Sequence, residues 1–249
     1  MITTEFAELF VTSINDQSKN PTHFLFNQWW SHAPDEVRQA YVDGIVDDPR
    51  FADLVSGEHY APPMSLDDLA ALDEGTLGRT FHDWIVDNGL AAQIAMDYRQ
   101  FHEHLVATGQ LDDMPAPMQH AILRGFQNHD FQHVVTGYDS TGLGEIAVQA
   151  FCLAQMQFPY FGMWISIVTA QMTYLRPQSI VPLMDAITDG WQLGRSVDNI
   201  QAERWEEMLD QPLAEIRAGY GIHPNGRAPL IAAERCALRP STLVASRLT

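Results

Sequence analysis

Residues 120–145 read HAILRGFQNHDFQHVVTGYDSTGLGE, and the spacing of Ile122, Leu123, Phe126 and Val134 predicts a helix over 120–136. Each helical residue advances about 100°, so His129, Asp130 and His133 stand at roughly 0°, 100° and 40° around the axis. The two histidines share one face a turn apart, and Asp130 belongs to the same arc. The run VTGYDSTGLGE supplies a glycine-rich turn after Val135 that can fold back and bring Glu145, in the first turn of the next helix, to the same point. Two imidazole nitrogens and two carboxylates facing one point describe a divalent-metal site. A capped or salt-bridged helix uses the same residue types, and by composition HDxxH occurs in on the order of one chain in fifty of this length.

Helical periodicity extends outward from this stretch. Segments 3–14, 34–46, 76–88, 90–107, 116–136, 144–157, 160–175 and 179–198 read as amphipathic or buried helices, with prolines such as Pro34, Pro115, Pro159 and Pro177 at or near their boundaries. LDDLAAL, WEEML and a last helix opened by Pro212 complete an all-α reading: one multi-helix domain over 1–222 and a basic tail over 223–249. Alternating strand patterns are scarce, and no repeat, Walker loop or GxGxxG is present. GYDSTGLG follows a helix rather than a strand, which argues against Rossmann-type phosphate cradling.

The net charge of -18 excludes a nucleic-acid binder, which needs a basic surface to displace counterions, and disfavours plain electrostatic attachment to anionic lipid. Residues 217–249 run against this balance, with five arginines to one acid, Glu234, leaving -22 on the rest. Such a tail either folds back on the acidic body, contacts a partner, or is mobile and without function. Cys152 and Cys236 form no metal spacing, and MITTEFAELFVTSIND has no basic leader character. A reducing bacterial cytoplasm is the expected setting, with contact at the inner membrane face as an extension of it.

Between Glu145 and Arg176 lie 30 residues without Asp, Glu, Lys or Arg. A bilayer span needs only about 20 apolar residues, but Gln149, Gln155, Gln157, Gln171 and Pro159 interrupt the run. Two readings stand: a pair of buried core helices, or the lining of a lipid tunnel or membrane-contacting dimer face. Met156, Phe158, Tyr160, Phe161, Met163, Trp164 and Ile167 would supply its soft apolar wall. His82, His102, His104 and His120 read as surface or satisfied core histidines, His82 with a second role beside the site as an alternative. Arg79, Arg124 and Arg176 are candidates for an anionic substrate group, with structural salt bridges as their default.

HDxxH followed by eleven residues and a Glu resembles the signature of the ubiquinone (coenzyme Q) biosynthesis family that is fourth of the numbered Coq proteins. DDLAALDEGTLGRTFHDWIVDNGL (67–90) resembles its Leu-x-x-Leu-x-x-Gly-Thr-Leu-Gly segment, and ERWEEMLDQPLAEIRAGYGI (203–222) its Trp-Glu-x-x-Leu-x-x-Pro-Leu-x-x-x-Arg segment. The resemblance covers about residues 49–222, in the family's order. It implies removal of the carboxyl group at carbon 1 of a polyprenylated 4-hydroxybenzoate-type ring, with or without coupled hydroxylation, by a metal held on His129, Asp130, His133 and Glu145. Four protein ligands are many for an open site, so Asp130 is also a candidate orienter or proton donor, and Asp130 and Glu145 are the candidate catalytic carboxylates. Zinc suits the non-oxidative reaction and ferrous iron the oxidative one. The alternative class is a non-catalytic prenyl-lipid-binding scaffold that organises other quinone-biosynthesis enzymes, and a homodimer fits either class.

Overall fold

The computed structural model describes residues 3–56, 59–109, 111 and 114–224, and no strand occurs among them. The helices are α1 (Thr4–Asn15), α2 (Thr22–His32), α3 (Asp35–Val46), α4 (Ala52–Val55), α5 (Leu66–Ala70), α6 (Leu77–Asn88) and α7 (Ala91–Ile94). There follow α8 (Tyr98–Ala107), α9 (Ala116–Thr136), α10 (Gly142–Met156), α11 (Pro159–Leu175), α12 (Ile180–Ser196) and α13 (Leu213–Gly219). None is long and apolar enough to cross a membrane. The all-α reading holds, and most predicted boundaries fall within a residue or two of the observed ones. Beyond residue 224, the basic tail and Cys236 lie outside the described residues.

Several elements depart from expectation, the four-residue α4, outside the predicted set, among them. The segment 90–107 is two helices rather than one, because the Asp97 carboxylate accepts from the backbone N–H groups of Arg99 (3.0 Å) and Gln100 (3.1 Å) and starts a new helix there. WEEML forms a 3-10 turn, Trp205–Glu207, in place of a short α-helix. The aromatic-rich segment THFLFNQWWSH, outside the predicted set, forms α2 and buries Leu25, Phe26 and Trp30.

The chain folds into two compact units, one from Met1–Asp43 with Tyr138–Ser196, the other from Gly44–Gly137 with Val197–Pro224. In the first, α10 and α12 approach until backbones touch. A β-carbon on Gly190 would lie 2.0 Å from the Ala147 carbonyl oxygen, and one on Gly194 2.5 Å from that of Phe151. Phe6 and Leu25 bury Ile167 of α11, with Leu9, Phe10, Ile14, Trp29 and Met163 packed around them. Tyr160 and Phe158 meet the Phe26 ring edge-on at 5.5 and 5.4 Å. Much of the uncharged run is thus core.

In the second unit, α9 is buried on most of its circumference. Its polar residues Arg124, Asn128 and Gln132 recur every four positions and all donate to one segment. Arg124 donates to the Glu203 carbonyl and to Glu206, each at 3.0 Å. Asn128 donates to the Gln201 carbonyl at 3.1 Å, and Gln132 to the Gln201 side chain at 3.0 Å. Arg217 of α13 donates to the Val134 and Val135 carbonyls at 2.7 and 3.0 Å, closing the C-terminal turn of α9. The two flanking segments singled out in the sequence clasp each other. Leu77 N–H bonds the Gln211 carbonyl, Gly78 N–H that of Leu209, and Leu213 N–H that of Gly75, at 2.8–2.9 Å. Gly78 is required because a β-carbon there would sit 2.9 Å from the Leu209 oxygen.

Gly190→Ala is expected to force α10 and α12 apart and cost about 1–3 kcal/mol. Gly125→Ala, in α9 with nothing within 4 Å of its β-carbon, is expected to stabilise by about 0.5–1 kcal/mol. Chemical denaturation of both variants checks the contrast, and a Gly190→Ala protein as stable as the wild type contradicts it.

Candidate metal centre

Helix α9 runs without interruption to Thr136 and stops because Gly137 adopts φ 80°, its N–H closing on the His133 carbonyl at 2.9 Å. The glycine-rich run that follows is a turn and a cap. Asp139 accepts from the Thr141 N–H at 3.1 Å and from its hydroxyl, and Thr141 accepts from the Gly144 N–H at 3.2 Å to begin α10. A β-carbon at Gly144 would lie 2.0 Å from the Asp139 carbonyl oxygen, so this position admits only glycine. Glu145 then falls in the first turn of α10, where the positive end of the helix favours an ionised carboxylate.

His129 is half-buried and His133 is 1% exposed. Their Nε2 atoms are 3.1 Å apart, with the rings nearly perpendicular at 84°. Zinc–nitrogen bonds of about 2.0–2.1 Å at a tetrahedral angle would separate two such nitrogens by roughly 3.3 Å, so the pair already has close to the spacing that one ion demands. Trp84 of α6 stacks on His133 at 5.3 Å and 24°, holding the ring plane. Sequence reasoning missed Trp84, although it sits in the 67–90 segment three residues after Phe81, which itself stacks on Phe131 at 3.9 Å.

His129 and His133 are the candidate metal ligands of the second unit, and Glu145 is the candidate carboxylate of the first. Asp130 is outside this group. It is 7% exposed and, within the second unit, lines a cavity with Arg124, Gln127, Phe131 and Glu206.

Most of the remaining candidates have local partners. Arg79 donates to the Ala70 carbonyl at 3.0 Å and pairs with Asp83 at 3.4 Å. Arg124 is buried in its ion pair with Glu206, which also pairs with His59. Arg176 is exposed beyond α11. Of the apolar candidates, Met156 and Ile167 are buried, Met163 packs on the α1–α2 core, and Tyr160 and Trp164 are half-buried. His82 bonds Asp83 at 2.8 Å, His102 lies between the Tyr60 hydroxyl and Gln119, and His120 is buried edge-on to Tyr60.

Burial pushes the Glu206 carboxyl up, but Arg124 and the hydrogen bond with His59 outweigh it and hold it below its ordinary value of 4.5. A carboxylate depressed in the folded state stabilises above the unfolded value and loses that contribution as pH falls through the folded one. Glu206→Gln leaves Arg124 buried without its counter-charge and is expected to cost about 3 kcal/mol at neutral pH. It is also expected to flatten the acid limb of stability below pH about 4.5. Melting curves across pH check both, and coincident acid limbs contradict the assignment.

The profile of the family described as coenzyme Q (ubiquinone) biosynthesis protein Coq4 matches residues 61–226. Mitochondrial ubiquinone biosynthesis proteins COQ4 are similar to the chain. That of Zygosaccharomyces rouxii is 24% identical over 177 residues, 71% of this chain and 49% of the relative. That of Eremothecium gossypii is 28% identical over 183 residues, 72% of this chain and 51% of the relative. The chain thus spans about half the length of these curated relatives. The crystal structure of a putative ubiquinone biosynthesis protein from Nostoc punctiforme superposes with a TM-score of 0.68 at 25% identity, over 88% of this chain and 97% of that one. With two-thirds of its length matched by the family profile, the chain belongs to the coenzyme Q (ubiquinone) biosynthesis protein Coq4 family.

Proposed function

We propose that this chain is a metal-dependent enzyme of ubiquinone biosynthesis that removes the carboxyl group at carbon 1 of a polyprenylated 4-hydroxybenzoate-type ring. The observation that carries the reading is the pair of Nε2 atoms 3.1 Å apart on α9, held by Trp84 and by the burial of the helix. Glu145 is the third ligand in this reading. The linker Gly137–Thr141 is only five residues long, and the cap at Thr141 puts Glu145 at the start of its helix. Two imidazoles and one carboxylate leave coordination positions open to substrate, as hydrolytic zinc sites and ferrous facial triads do. When bound, the ion supplies Lewis-acid stabilisation of charge that develops on the ring or its carboxylate. Zinc and ferrous iron both suit the donor set.

Asp130 has a separate role in this proposal. Arg124 and Glu206 line the same cavity as Asp130, a charged environment suited to holding or delivering a proton. The prenyl tail is assigned to the apolar residues of α10 and α11, with Met156 and Trp164 as candidates. Met163 and Ile167 serve the core whether or not a lipid binds. Other quinone-biosynthesis proteins are the partners this context supplies.

About one divalent ion per chain is expected, with affinity lowered more than 100-fold in His133→Ala, beyond the roughly 10–100-fold typical of losing an outer-shell partner. Elemental analysis after reconstitution with zinc or ferrous iron checks this, and protein that takes up neither overturns the reading.

Asp130→Asn is expected to retain the ion yet abolish quinone formation in cells that depend on this chain. Glu145→Gln is expected to lose both. Mass spectrometry of the accumulated intermediate then shows whether the ring still carries its carboxyl. Normal quinone levels with a folded, metal-free Glu145→Gln protein would favour the scaffold alternative.

A further inference from the structure

Within the first unit, α10 has two sharply different faces. Ala147, Phe151 and Ala154 meet the glycines of α12. At about 100° per residue they cluster on one side of the axis, and Glu145, Gln149, Cys152 and Met156 cluster on the opposite side. Gln149 follows Glu145 by one turn, about 6 Å along the axis, on the same stripe. It is 6% exposed, and its Oε1 has no hydrogen-bond partner. The rest of that stripe offers this oxygen no donor from its own helix: Met156 has none, and Cys152 has only a weak thiol. Buried carbonyl oxygens are rarely left unpaired, because folding strips their water without returning a donor. A glutamine held in that condition one turn from a candidate metal ligand marks a place where a ligand supplies the missing hydrogen.

We propose that Gln149 is a positioning and specificity residue. Its carboxamide oxygen accepts a hydrogen bond from a ring hydroxyl of an aromatic ligand whose acidic substituent lies at the cation that Glu145 would hold. The inference rests on the metal-centred reading above and deepens it, since it selects a phenolic ring over one whose oxygen is alkylated. Glu145 and Gln149 divide the ligand between them, the first turn of α10 serving the charged end and the second turn the hydroxyl. The spacing of one helical turn suits groups on opposite sides of a six-membered ring. An acceptor without a charge is apt here, because a second carboxylate beside Glu145 would repel both it and an anionic ligand.

The test measures binding to the metal-loaded full chain by calorimetry, with two probes: a short-prenyl para-hydroxybenzoate and its methyl ether. The wild type is expected to bind the phenol about tenfold more tightly, the value of one buried hydrogen bond. Gln149→Met is expected to bring the two affinities together while metal content and melting temperature stay unchanged, which a merely structural glutamine would not do. Equal affinities in the wild type overturn the inference without requiring any variant to fold. A folded Gln149→Met protein that keeps the preference also overturns it, leaving the metal reading intact. Absence of both ion and probe binding would instead remove the metal-centred reading, and this inference with it.

Discussion

The polar ladder of α9 is the interaction on which the rest of the site depends. Arg124, Asn128 and Gln132 lie on one stripe of a helix that is otherwise buried, and each must find a partner or pay the cost of desolvation. The segment from Gln201 to Glu206 meets all three. This fixes the rotation of the helix about its axis. The histidine stripe, one residue further along, is turned roughly 120° from the ladder, and Asp130 is turned further still. Slippage of α9 by one position would break the ladder and misdirect both histidines, so structural and chemical demands select the same register.

The flanking segments have a corresponding purpose. The Gly-Thr-Leu-Gly turn and the Pro212 segment are joined by backbone hydrogen bonds that admit no side chain at Gly78. Through α6 this clasp carries Phe81 and Trp84, which stack on Phe131 and His133. Residues that touch no ligand thus control the planes of those that would. In the first unit, the glycines of α12 let that helix lie directly on α10, and the opposite stripe is left to Glu145 and Gln149.

Much of this was legible beforehand. Caps such as Thr76, Asp97 and Thr141 are local signals, and helix periodicity is strong where one face is buried. The break before α8 was written in Asp97, whose capping preference was outweighed by an apolar pattern that continues across it. Helix α2 was harder, because Phe, Trp and His are indifferent helix formers and its burial is decided by α1 and α11.

The sequence by itself determined the all-α class and the shared face of His129 and His133, because both follow from the fixed 100° step and the caps that bound it. It also put Glu145 in the first turn of its helix, since Thr141 and the glycines around it allow little else. Only the tertiary structure decided that Asp130 lines a cavity with Arg124 and Glu206. The ion pair of Arg124 with Glu206 and the stacking of Trp84 on His133 were likewise decided there. Those contacts join residues separated by tens of positions, and no local spacing encodes which long-range partner satisfies a buried charge or fixes a ring.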